Sequence, residues 1–155
     1  MKIRSQTRAA LQALLDICLY SAPQVPAPLS DIAKRQQVSA AFLEQLFRRL
    51  KSAGLVQPWR GMKGGYTLTR LPAQISLLQI FEALQEPSVA SPSKAAGAAL
   101  VEPQAEAKAL EGALEEASQA LKEKLASLSL EDLRRRALAE PGLRGVPRAG
   151  AGFSI

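Results

Sequence analysis

The sequence predicts a mainly α fold with a small β-hairpin wing: a winged helix-turn-helix domain followed by a long helix. Three observations predict it. Two short amphipathic segments flank a tight break at Val38–Ser39, and a glycine-rich turn between two β-prone runs follows at once. Positive charge gathers on the same half: residues 1–85 hold 11 Lys/Arg against 4 Asp/Glu, whereas residues 86–155 hold 9 against 10. Beyond residue 104, a charged segment carries leucines at helical spacing.

The elements follow in order. Residues 5–20 read as a first helix, with Ser5 as its N-cap. Ala10, Leu11, Leu14, Leu15, Cys18 and Leu19 form one broad apolar face. Cys18 on that face reads as a small buried hydrophobe, with a redox-sensing thiol as the alternative. Three prolines make Ser21–Pro28 a loop. Leu29–Gln37 is a short second helix with Ser30 at its start. Ser39 then caps a third helix, from about Ala40 to Ser52. Phe42, Leu43, Leu46, Phe47 and Leu50 should face inward, and Gly54 should end the helix.

Leu55–Trp59 reads as a strand, Gly61–Gly65 as a turn and Tyr66–Thr69 as the return strand. Ser76 to Gln79 is a capping-box pattern that opens a helix through about Leu84. Residues 87–103 are rich in Ser, Ala and Pro and read as a loop. A long helix follows, near Gln104–Ser127. Leu110, Leu114, Ala117, Leu121, Leu125 and Leu128 make one stripe along it. On that stripe alone, core packing and a dimer seam stay equally open. Ser129 to Asp132 is a capping signal for a short final helix, which Pro141–Gly142 stops. The implied organisation is a domain over 1–86, a loop over 87–103, two helices over 104–140 and a disordered tail over 141–155.

Composition removes several function classes. One cysteine and no histidine exclude an intrachain disulfide and a Cys/His zinc site. They also remove the usual catalytic bases and nucleophiles, so no catalytic or metal residue is expected and the chain reads as no enzyme. The carboxylates of the first half, Asp16, Asp31, Glu44 and Glu82, form no paired cluster in sequence. The glycine-rich turn lacks the lysine ending of a phosphate-binding loop. No signal peptide and no apolar run of about 18 residues is present, so a cytoplasmic protein without a membrane role is expected.

What remains is a polyanionic partner, and the helix pair points to double-stranded DNA. In a helix-turn-helix the second helix lies in the major groove with its first residues against base edges. Here Ala40 and Ala41 permit close approach, Ser39 and Gln45 can hydrogen-bond bases, and Glu44 can accept from a cytosine amino group. Arg48, Arg49 and Lys51 would contact phosphates and position the helix. Arg60 at the hairpin turn can enter a narrow minor groove, with Lys63 near phosphate. The plain alternative is a packed helical hairpin with a solvated charged face. Order, spacing and local charge together favour DNA.

The stretch "LSDIAKRQQVSAAFLEQLFRRLKSAGLVQPWRGMKGGYTL" resembles the winged-helix core of the IscR-type bacterial regulators, the family that includes the NsrR and CymR repressors. The resemblance covers residues 1–86 well, including "ISLLQIFEAL"; beyond them only the layout matches. It implies a homodimeric repressor whose long dimerisation helices place two winged domains on a palindromic operator. It assigns base reading to Ser39, Ala40, Ala41, Glu44 and Gln45, the wing to Arg60, Gly64, Gly65 and Tyr66, and a phosphate contact to Arg8. Ala9 departs from the aromatic residue usual there. Many members hold an iron–sulfur cluster through three cysteines before the long helix, sometimes with a histidine. By that spacing Ala109 falls near the last cysteine and Gly112 near the histidine, and the loop has no cysteine. Such clusters need several thiolates. The implied member is cluster-free, without a cofactor, and responds to a small-molecule or protein effector or to a thiol change.

A second reading, from another class, is a protein-interaction module that docks a partner enzyme or polymerase subunit. The alanine-rich loop and the acidic long helix would be its surface.

Overall fold

The first helix, α1, runs Ser5–Tyr20 in the computed structural model, which describes residues 2–62, 64–86, 89 and 105–143. Ala10, Ala13, Leu14, Ile17, Cys18 and Leu19 are buried along it, while Leu11 and Leu15 are only half-buried. Ser5 is the first helical residue and not the cap. Arg4 holds the cap position without a side-chain bond. The carboxylate of Glu86, itself buried, accepts from the Arg4 N–H and the Thr7 hydroxyl. An acceptor from far along the chain thus replaces the local cap, as suits the donor-rich end of a helix.

Helix α2 spans Leu29–Gln36 and begins directly after Pro28, so Ser30 lies inside its first turn and does not cap it. Helix α3 spans Ala40–Ser52 and ends as expected. Gly54 has φ +72°; its N–H reaches the Lys51 carbonyl and the Leu55 N–H reaches the Leu50 carbonyl. That pair of bonds closes a helix through a left-handed residue.

Strands β1 (Val56–Trp59) and β2 (Gly65–Leu68) form one antiparallel hairpin, with Val56 opposite Leu68 and Trp59 opposite Gly65. Pro58 stands opposite Tyr66, whose N–H and carbonyl both turn the other way to Ala27. The missing proline N–H therefore costs the ladder nothing.

A 3-10 turn at Pro72–Gln74 leads into helix α4, Leu77–Ala83, capped by Ser76 and Gln79 as the sequence predicts. Helix α5 spans Ala105–Ser127, and helix α6 spans Leu130–Ala139. Ser129 caps α6. Its backbone N–H and hydroxyl bond to the Asp132 carboxyl, and with help from Arg135 they hold that group down at about 2. The expected tail divides: Pro141–Leu143 is a 3-10 turn, and 144–155 lie outside the described residues, as do 87, 88 and 90–104 of the expected loop.

The core is centred on Leu14, Ile32, Leu43, Phe47, Leu50, Ile75 and Ile80, and it also takes in Leu125 and Leu130. Two backbone bonds, Leu77 N–H to the Leu128 carbonyl and Leu130 N–H to the Ile75 carbonyl, tie the α5–α6 junction to the start of α4. The leucine stripe of α5 is therefore split. Leu125 is buried and Leu121 and Leu128 are half-buried, but Leu110 (61% exposed), Leu114 (56%) and Ala117 stand in the open.

Candidate nucleic-acid interface

The turn between α2 and α3 is made by backbone geometry. Gln37 adopts φ 55°, its N–H points to the Lys34 carbonyl, and the Val38 N–H reaches the Ala33 carbonyl at 3.1 Å. Ser39 Oγ then accepts from the Phe42 N–H at 3.2 Å, so α3 starts within two residues of the turn. This hydroxyl, read from sequence as a base contact, already serves as the helix cap.

A second restraint sets α2 against α1, and sequence reasoning missed it. Arg35 donates through Nε (2.9 Å) and Nη2 (2.6 Å) to the carboxylate of Asp16, whose side chain is fully buried. Gln36 adds a third donor at 3.1 Å, and the Arg35 guanidinium lies 4.9 Å from the centre of the Tyr20 ring. The bond from Asp16 pushes the Arg35 pKa up further. The available signal was an acid between buried apolar residues of α1.

Helix α3 divides cleanly by periodicity. Leu43, Leu46, Phe47 and Leu50 are buried and Phe42 is half-buried. Ala40, Ala41, Glu44, Gln45, Arg48, Arg49 and Lys51 are all exposed on the opposite arc, with Ser39 exposed at its head. The predicted base-reading and phosphate-contacting residues of this helix therefore share one solvent face.

The wing is attached to α3 through Tyr66. Its ring packs on that of Phe47 at 4.9 Å with a 55° tilt, so Tyr66 is half-buried. Gly65 has a packing reason: a Cβ there would lie 2.3 Å from the Ala27 carbonyl oxygen, where segment 22–28 crosses β2. Arg60 and Gly64 are exposed at the turn, and Lys63 lies outside the described residues. Sequence reasoning passed over Trp59, half exposed, and Met62, fully exposed, beside Arg60. Arg8 is exposed in the first turn of α1.

This arrangement has close counterparts. A family described as Rrf2, iron-dependent transcriptional regulator, matches residues 3–136. The chain belongs to the Rrf2 family. Against the HTH-type transcriptional regulator IscR of Aliivibrio salmonicida it is 44% identical over 86 residues, 56% of this chain and 51% of that protein. The chain thus spans about half the length of the curated relatives it matches. The solved structure of CymR from B. subtilis aligns with a TM-score of 0.68 at 31% identity, covering 88% of this chain and 98% of that one. The T. potens IscR structure aligns at 0.67 with 28% identity, covering 88% of each chain. These Rrf2 relatives are named as regulators and not as enzymes.

The Rrf2 description raises the question of iron. The donor set does not fit an iron–sulfur cluster. The chain has one cysteine and no histidine, and Cys18 is 1% exposed inside α1. Among the described residues no group of three His, Cys, Asp or Glu could hold a metal ion. Ala109 and Gly112 are exposed on α5. Burial pushes the Cys18 thiol from an ordinary 9.0 up to about 12, against a lowering from Arg134 and with a further rise from Glu131. Cys18 should therefore resist a thiol reagent in the native protein and react only on unfolding. Above pH 9.0 the unfolded chain loses this proton first, so stability should fall as pH rises toward about 12. Denaturant midpoints across that window check this, with Cys18→Ala making the fall shallower than in the parent chain. Labelling of native protein at a free thiol's rate would contradict it.

Proposed function

We propose that the chain is a sequence-specific DNA-binding transcriptional regulator, a repressor that acts in the cytoplasm as a homodimer on a palindromic operator. The carrying observation is the exposed arc of α3 set beside the wing, with all of its exposed cations on that arc. Ala40, Ala41, Glu44 and Gln45 face base edges in the major groove, with Ser39 at the helix start. Arg48, Arg49 and Lys51 hold phosphates, joined by Arg8 from α1. Arg60 enters the minor groove from the wing, supported by Lys63, Gly64, Gly65 and Tyr66. The uncovered half of the α5 stripe, Leu110 to Ala117, supports the dimer: apolar residues on a long charged helix are the material of a helix–helix seam. The single buried thiol supports a member without an iron–sulfur cluster.

Gel shifts on DNA fragments that the purified chain retains test the assignment. Arg60→Ala should weaken binding by about 1–3 kcal/mol. Gln45→Ala should cost a similar amount and relax the sequence preference. If both variants bind as the parent chain does, the interface lies elsewhere.

A further inference from the structure

A cleft lies between residues 21–25 and residues 67–74, away from the α3 face. Its volume is about 400 Å³, within the range of pockets that hold small organic ligands, and its walls include Ile17, Val25, Thr67, Leu68, Arg70 and Leu71. Two features set it apart from an ordinary surface hollow. Thr67 is 4% exposed, and its Oγ1 is the one buried side-chain polar atom without a hydrogen-bond partner among the described residues. Native folds rarely leave such a group unpaired. Two polar neighbours are engaged elsewhere: the Thr69 hydroxyl donates to the Gly54 carbonyl, and the Gln74 side chain accepts from the Leu71 N–H. The second feature is charge. Arg70 is the only charged residue lining the cleft, and it is exposed. The ion pairs to Asp16, Glu131 and Asp132 are made by other arginines, Arg35, Arg134 and Arg135.

We propose that this cleft binds a small organic carboxylate with an apolar body. The carboxylate pairs with Arg70, which presents a planar fork of donors suited to it. The hydrocarbon part lies against Ile17, Val25 and Leu71, and rotation of the Thr67 side chain would bring its unused hydroxyl to the ligand. One wall of the cleft continues through Ala27 and Pro28 into α2, and the other is wing strand β2. A ligand here touches β2 and the segment that leads into α2, so on the DNA-binding reading it is an effector. Binding itself does not depend on that reading and is measured without DNA.

The test is amide NMR of the isotope-labelled full chain, titrated with isovalerate and, separately, with neutral isovaleramide. Isovalerate should give saturable shifts at the Val25, Thr67 and Arg70 amides, and bind at least about tenfold tighter than the amide. Arg70→Gln should bring isovalerate down to the level of isovaleramide, with the rest of the spectrum unchanged. Thr67→Val should weaken both probes while leaving the fold at least as stable, because it removes an unpaired buried hydroxyl. Equal binding of the two probes, shifts scattered over the surface, or an unaltered titration in Arg70→Gln would overturn the proposal.

Discussion

Replacing Arg35 with alanine should lower the unfolding free energy by about 2–4 kcal/mol, although the residue is partly exposed. The cause is what the substitution leaves behind. The Asp16 side chain is fully buried, and it accepts two donors from Arg35 and one from Gln36. Without the guanidinium, the carboxylate stays in the core with one neutral donor. The exposed third of Arg35 (37%) keeps the loss below that of a fully buried pair. Asp16→Ala should cost less, because the freed guanidinium can turn to water. Urea unfolding reads this as a lower midpoint at unchanged slope. A midpoint equal to that of the parent chain would show that α2 is held by its apolar contacts alone. Because the pair fixes α2 and hence the α2–α3 turn, DNA affinity should fall as well.

Phe47→Ala should cost about 3–5 kcal/mol, the loss typical of a large aromatic removed from a closed core. Phe47 is 0% exposed and lies on the buried side of α3. Its ring also seats Tyr66, so the cavity opens where the wing meets α3. Phe47→Leu keeps most of the volume and should cost less than about 1.5 kcal/mol. It also keeps the chain folded for comparison if the alanine variant is too unstable to handle. Both variants should make the Tyr66 ring more accessible to solvent than in the parent chain, which ultraviolet difference spectra detect. An alanine variant within about 1 kcal/mol of the parent would place the core elsewhere.

Much of this was legible because the decisive signals are local. Ser39, Ser76 and Ser129 sit where helices begin, and each caps in the structure. Gly54 marks a helix end that uses glycine at positive φ, and the α3 periodicity separates its buried and exposed arcs. Two of the failures involve partners remote in sequence. Ser5 looked like a cap, but Glu86, 82 residues from Arg4, takes that role. Asp16 looked like an isolated acid, but its partner comes from the next helix. The leucine stripe gave no sign of where the core ends, since spacing says which residues share a face and not what covers it. Gln37 and Gln85 adopt positive φ at helix ends without the glycine that would announce them. Gly65 carried a signal that was read as a wing feature; its reason is the close approach of the Ala27 backbone.

Sequencing the genomic DNA fragments that the purified chain retains at increasing salt tests sequence-specific binding by a dimer directly. A homodimer reading a palindrome should enrich one motif with two-fold symmetry, its half-sites about 10 base pairs apart or a multiple of that. Retention should fall steeply with salt as phosphate contacts release counterions. Fragments without a shared motif, or no retention at low salt, would contradict it.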